Sequence, residues 1–328
     1  METKYDVIAL GELLIDFNQA ALNDNGNYLY EAAAGGAPCN VLSMLQKLGR
    51  KTAFIGKVGK DSFGEYLKET IEDIGINTDN LLMTSAANTS LAFVSRNAYG
   101  DRCFQFYRDP GADMLLRKDE VIAANIAKSK IFHFGTLSFT STDTKEATCY
   151  AVECAEEAGK LISFDPNIRI NLWNDPQEAR KAMDYGLKKC DILKISDEEL
   201  FFQTGIRDQD EAMKILKATY EIPFTDTGIG MSEEFLEHIF EPFVQEKTVD
   251  TTGAGDTFMG CVLNFVLDHG LDGLEEEEIR QMLRFSSAAA SIITTRYGAL
   301  KVMPDQEEIQ KYMKDVLTAD VKRKLKSI

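Results

Sequence analysis

The stretch Asp250–Gly260 reads DTTGAGDTFMG and opens a helix predicted over Thr257–Asp268, with Phe258, Val262, Phe265 and Val266 on its apolar face and Gly270 closing it. A Gly-Ala-Gly turn at a helix start leaves backbone N–H groups without intrahelical partners. They meet the positive end of the helix dipole and form a cradle for an anion. Without side chains at Gly253 and Gly255 a phosphate can approach the backbone closely. Asp256 falls in the first helical turn, beside that cradle. A carboxylate there can take the proton of an attacking hydroxyl while the N–H groups of Gly253, Ala254 and Gly255 hold the transferring phosphoryl charge. The plainer reading of a lone GxGD is an N-capping Asp after a Gly turn; the full eleven-residue string favours the phosphoryl site.

Working outward, strand-like and helix-like runs alternate. Tyr5–Leu10 (YDVIAL), Thr52–Ile55 (TAFI), Ile131–Phe134 (IFHF), Leu161–Phe164 (LISF) and Asp191–Ile195 (DILKI) are short and apolar, as the doubly buried strands of a parallel sheet are. Between them lie amphipathic stretches. Asn40–Leu48 puts Val41, Leu45 and Leu48 on one face and ends at Gly49, and Thr144–Ala158 and Pro176–Lys189 also read as helices. This βαβα rhythm predicts a three-layer α/β fold. Asn18–Glu31 and Asn88–Arg108 break it. In the second, Leu91 and Phe93 and then Phe104 and Phe106 alternate around a turn at Arg96–Arg102, which predicts a small antiparallel flap off the main body.

The 328 residues suffice for one large α/β domain or two small ones, and 44% of them are apolar. A net charge of −17 argues against a nucleic-acid or anionic-membrane partner, because both need a basic face. No apolar run approaches the ~18 residues of a membrane span. Met1–Asp6 has neither a basic nor an apolar leader, so a cytoplasmic protein is expected. The six cysteines form no CxxC pair and read as reduced thiols.

The chain resembles the ribokinase-like (pfkB) carbohydrate kinases, fructokinase branch. DTTGAGDTFMG resembles their C-terminal signature, whose Asp is the base. Gly35–Gly59 resembles their N-terminal signature through GGAPCN, Ser43, Gly49 and Gly59. The resemblance spans roughly residues 4–220 and 248–312. It implies one kinase domain over 1–328, a three-layer α/β/α body with a mostly parallel sheet, and a small antiparallel β lid from about 12–32 and 88–110. The implied reaction is ATP-dependent phosphorylation of a sugar, D-fructose at the 6-hydroxyl, with 2-keto-3-deoxygluconate kinase and aminoimidazole riboside kinase as alternatives. A sugar-binding protein with an impaired ATP site is the alternative of another class. Mg2+, K+, ATP as co-substrate and a homodimer joined through the lid are implied as well.

Residue by residue, Asp16 in GELLIDF matches the family's sugar-binding Asp, and Gly35, Gly36 and Asn40 match its sugar-side turn. Arg108 in FQFYRDPGAD matches the Arg that reaches the sugar pocket. Arg169 in FDPNIRINLW is a substrate or phosphate contact, or a surface ion pair. KISDEEL matches the N-x-x-E element, with Ser196 where Asn is usual and Glu199 organising Mg2+ through water. The same residues read physically as a capping box. Lys194, Ser196, Thr225, Gly228, Gly230, Gly255 and Ser286 are the implied nucleotide contacts. Ala288–Gly298 resembles the segment beside the adenine; Asp250, Thr252, Ile293, Arg296 and Gly298 match the monovalent-cation site.

One segment departs. Ile222–Thr248 (IPFTDTGIGMSEEFLEHIFEPFVQEKT) resembles the DTGIGM box of histidine-kinase ATP-binding domains instead. A recognisable phosphoacceptor helix is absent, and His133, His238 and His269 read as structural. The expectations here are a strand at Ile222–Thr225, a nucleotide-facing turn at Asp226–Gly230, a helix at Glu233–Phe240 and a loosened ATP site.

Overall fold

The computed structural model describes residues 3–96, 102–220, 222–226 and 250–315. Its centre is β1 (Val7–Leu10), a VIAL run buried on both faces. Ile8 and Leu10 point into one apolar core, Val7 and Ala9 into another. That two-sided burial is why the strand reads as continuously apolar rather than alternating. β1 pairs in parallel with β4 (Thr52–Gly59) and with β8 (Ile131–Phe134). Outward from these lie β5 (Asn77–Thr84) on one side and β9 (Leu161–Phe164), β10 (Ile192–Lys194) and β11 (Phe224–Asp226) on the other, giving the order β11-β10-β9-β8-β1-β4-β5, all parallel.

Helices cover both faces. α1 (Ala37–Lys47), α2 (Ser62–Ile74), α8 (Ala254–His269) and α9 (Glu276–Ile293) close one core. The short α3 (Ala123–Ile126), α4 (Thr142–Glu157), α5 (Pro176–Leu187), α6 (Asp197–Thr204) and α7 (Gln209–Tyr220) close the other. The predicted helices are thus found, and α8 begins three residues before Thr257, at Ala254. α8 is also buried on more than the predicted stripe: Met259, Cys261 and Leu263 are buried with Val262 and Val266, because α8 lies between α1 and α9. Gly260 permits that approach, since a Cβ there would fall 2.7 Å from Met44 Cβ.

The second sheet, β3-β2-β6-β7, is built from β2 (Leu14–Leu22), β3 (Tyr28–Gly35), β6 (Leu91–Arg96) and β7 (Arg102–Tyr107). The purely antiparallel flap needs correction here. β2–β3 and β6–β7 are antiparallel hairpins, but β2 and β6 pair in parallel. Both leave the main sheet from the C-terminal ends of parallel strands, β1 and β5, and so travel the same way.

The departing segment enters the sheet slightly later than expected. β11 spans Phe224–Asp226, with Ile222 buried just before it, so Asp226 ends the strand rather than starting a turn. The rest of the expected turn, including Gly228 and Gly230, and the Glu233–Phe240 helix lie outside the described residues. Among the described residues, no helix is long and apolar enough to cross a membrane.

Candidate active site

Chain order reverses beside β1: the chain runs outward to β4 and β5, then returns to β8 on the other side. An open α/β sheet holds ligands at such a switch point, outside the strand C-termini. A cleft of about 630 Å3 lies there, lined by residues following β1, β8, β9 and β10 and by the start of α8.

Gly253 is the N-cap of α8 with φ 75°, a left-handed conformation suited to glycine, and no side chain caps the helix. The orphan donors of the first turn therefore face no competing side chain. A Cβ at Gly255 would sit 2.9 Å from Lys194 Nζ, so this ammonium lies against the turn and adds positive charge to the dipole. Lys194 also donates to Asp165 at 2.9 and 3.1 Å. Burial by itself lowers the lysine's affinity for its proton; Asp165, Glu199 and Asp256 outweigh that, and its pKa is raised.

Asp256 is 8% exposed in the first turn of α8. Its Oδ2 accepts from Asn40 Nδ2 at 2.7 Å, across 216 positions of sequence. Burial, then the neighbouring Asp165 charge, push its carboxyl up to about 6, against the opposing pull of Lys194, the Asn40 hydrogen bond and Arg169. A carboxylate with that pKa is ionised at neutral pH yet holds a proton far better than an exposed Asp, as a general base requires. Asn40 Oδ1 is buried with no protein partner. A hydroxyl in the cleft could satisfy it.

β2 contributes Asp16 to the same cleft. Gly35 lies beneath that carboxylate: a Cβ there would come 2.1 Å from Asp16 Oδ2. Gly36, with φ 130°, turns the chain into α1, and a Cβ on it would strike the Glu12 carbonyl oxygen at 2.4 Å. Leu14 and Phe106 of the second sheet add apolar wall beside Asp16. A carboxylate, an amide and a base along one cleft, ending at an anion turn, suit a polyhydroxyl acceptor and a phosphoryl donor.

A profile of pfkB family carbohydrate kinases matches residues 4–306. The chain belongs to that family. It is 39% identical over 321 residues to a probable fructokinase-2 of Arabidopsis thaliana, covering 94% of this chain and 95% of that protein. It is 37% identical to a fructokinase-2 of Solanum habrochaites over 92% of this chain and 94% of the other. Among solved structures, a fructokinase of Xylella fastidiosa with bound ATP superposes with a TM-score of 0.78 at 29% identity, covering 94% of this chain and 98% of that one. A Vibrio cholerae fructokinase in a fructose-, ADP- and calcium-bound form gives 0.78 at 25% identity, over 94% and 99%. As a pfkB family carbohydrate kinase, the protein is a phosphotransferase acting on a sugar hydroxyl.

The expected pfkB residues fall into three groups in space. Asp16, Gly36, Asn40, Arg169, Lys194, Ser196, Glu199, Thr252, Gly253, Ala254, Gly255 and Asp256 all line the cleft, and Gly35 underlies it. Asp250 Oδ1 accepts from Thr252 N and Oγ1, and its Oδ2 accepts from Gly298 N at 3.3 Å. The turn after α9, where Arg296 N donates to the Ile293 carbonyl, is thereby tied to the start of the phosphoryl turn. In the third group, Arg108 and Ser286 do not line the cleft. Arg108 is buried behind the cleft lining: Nε donates to Asp113 at 2.7 Å, Nη1 to Thr140 Oγ1 at 2.7 Å and Nη2 to the Leu137 carbonyl. These bonds anchor the foot of β7 beside Leu137, which lines the cleft. Ser286 is fully buried in α9, on the same face as Ala289 and Ile293, and lines no part of the cleft; helical spacing turns it to the core. Thr225 sits in β11.

Glu199 forms the capping box read from the sequence and adds a second contact. Oε2 accepts from Ser196 N at 2.9 Å and Oγ at 2.8 Å, the capping box of α6. Oε1 accepts from Ile168 N at 2.8 Å and pins the loop that carries Arg169. Asp165, Glu12 and His133 were not singled out as site residues from sequence. A strand-terminal Asp at the sheet's C-terminal edge was the available signal for Asp165. His133 lines the cleft floor with Nδ1 2.8 Å from Ser163 Oγ; burial, then Lys194, lower its pKa to about 3, so it stays neutral.

Proposed function

We propose that this chain is an ATP-dependent fructokinase that phosphorylates D-fructose at its 6-hydroxyl. The observation that carries this is the Asn40–Asp256 hydrogen bond at the α8 turn, in the cleft that Asp16 also lines; the fructokinase names among relatives 36–39% identical support the choice of sugar. Asp16 and Asn40 Oδ1 take sugar hydroxyls. Asp256 accepts the 6-hydroxyl proton as that oxygen bonds to the γ-phosphorus and the bridge to ADP breaks. The first-turn N–H groups and Lys194 hold the charge on the transferring group. Arg169 extends that positive wall.

Among the described residues no three His, Cys, Asp or Glu cluster around a metal position. This suits Mg2+ held by phosphate oxygens and water, with Glu199 behind them, rather than by a protein cage. Such an ion would neutralise phosphate charge. K+ is assigned to the neighbourhood of Asp250, Thr252, Ile293, Arg296 and Gly298. The four-stranded sheet is read as a lid on one kinase domain and as the homodimer contact, because Tyr30, Phe93 and Tyr107 meet edge to face and Leu22 and Tyr28 are exposed on the same sheet. The enzyme is read as cytoplasmic.

The test is ADP release across a panel of sugars that includes fructose, 2-keto-3-deoxygluconate and aminoimidazole riboside, with K+ exchanged for Na+ and with light scattering for mass. Fructose with the highest kcat/KM supports the reading. Turnover restricted to another sugar, or sugar binding without turnover, overturns it.

A further inference from the structure

Glu12 takes part in none of the steps above, yet it lines the cleft and touches the start of the helix that carries Asn40. It lies between β1 and β2, 7% exposed, in the cleft wall. Its Oε1 accepts the N–H of Ala37 at 2.8 Å, from 25 positions earlier in the chain. Ala37 opens α1, whose N-cap Gly36 has no side chain to offer. Asp61 and Ser141 cap α2 and α4 locally; α1 takes its cap from Glu12, distant in sequence but adjacent in space. Asn40 follows in the first turn of α1, its own N–H bonded to the Gly36 carbonyl at 2.9 Å. The backbone contact is close as well, because Gly36 leaves no room for a Cβ beside the Glu12 carbonyl. The β1–β2 connection that leads to Asp16 and the helix that carries Asn40 are therefore joined through one carboxylate. The charged and titratable groups facing it are Asp113, Arg108 and Cys39.

We propose that Glu12 is a positioning residue: through the Ala37 amide it sets the start of α1, so that Asn40 meets Asp256 on one side and presents Oδ1 to the sugar on the other. Burial pushes the Glu12 carboxyl up to about 7. The acceptor oxygen, which both protonation states retain, is the part that acts.

The role rests on the sugar-kinase reading. The wild-type chain is therefore screened first and its best sugar used throughout, so that a wrong sugar and a wrong role are separable; a chain without turnover is assayed by sugar Kd in place of KM. Glu12→Ala is expected to lower sugar kcat/KM by about 10- to 30-fold, the scale of a lost helix cap, and to leave ATP KM within about twofold. Glu12→Gln, which still offers an oxygen to Ala37, stays close to wild type. On an Asn40→Ala background, Glu12→Ala should cost less than about twofold more, because residues acting through one another are not additive. Where Glu12→Ala fails to fold, Ala37→Pro deletes the same hydrogen bond from the other side at a helix position that accepts proline, and should reproduce the sugar-specific loss. Additive losses in the double variant, equal changes in ATP and sugar KM, or Glu12→Gln as damaged as Glu12→Ala would each overturn the proposal.

Discussion

Asp256→Asn should inactivate the protein and stabilise it at once. The carboxylate is buried, and its pKa rises from the ordinary 3.8 to about 6. Between those values the folded chain holds a proton that the unfolded chain has released, so stability falls as pH rises through that window, and the full cost stands above pH 6. At 1.36 kcal/mol per pH decade the rise corresponds to about 3 kcal/mol. Asn at this position keeps an oxygen for Asn40 Nδ2, which now donates at 2.7 Å, and carries no charge to bury. With an unfolding entropy near 0.7 kcal/mol/K for 328 residues, the melting temperature at pH 7.5 should rise by about 4 °C. The gain should shrink as the pH is taken from 6 to 4. Loss of the base should lower kcat by at least ~10²-fold while sugar binding persists. The assay pairs calorimetric melting at several pH values with steady-state kinetics on the same preparations. A variant that melts lower than wild type at pH 7.5 would refute the electrostatic account of the buried carboxylate. One that keeps most of its kcat would remove Asp256 from the chemistry.

Asp16→Ala should raise sugar KM by about 10²-fold, the effect of losing charge-assisted hydrogen bonds, and leave ATP KM nearly unchanged; equal effects would point to misfolding. Gly35→Ala forces a methyl onto Asp16 Oδ2, and sugar kcat/KM should fall on the order of 10²-fold by displacement of one carboxylate, with far-UV circular dichroism unaltered. Lys194→Met removes the charge against Gly255 and leaves Asp165 buried without its ion pair; both kcat and melting temperature should drop, opposite to the stability change of Asp256→Asn, and an unchanged melting temperature would contradict the pairing. Replacing the segment between Tyr220 and Val249 with a family-like strand, T-x-G-x-x-G turn and hairpin should lower ATP KM and spare sugar KM; an ATP KM already as low in the present chain would mean that the segment is a working substitute.

Much of this was legible in the sequence, for local reasons. The βαβα rhythm appears because strands buried on both faces must be apolar throughout while covering helices are apolar on a stripe. The phosphoryl turn is legible because Gly253 needs its left-handed φ and the orphan amides of α8 follow within the next residues. Glu199 showed its capping box through three-residue spacing alone. Tertiary structure decided what depends on partners distant in the chain. Asn40 reaches Asp256 only because α1 and α8 pack side by side on one face of the sheet. Arg108 turns to Asp113 and Thr140 because burial leaves its guanidinium no water and those groups satisfy it. Glu12 caps a helix that no local pattern links to it. Asp165 and Lys194 meet because β9 and β10 are neighbours in the sheet. A side chain's partners are set by which strands and helices become neighbours, and that order is a property of the packed whole rather than of any window of sequence.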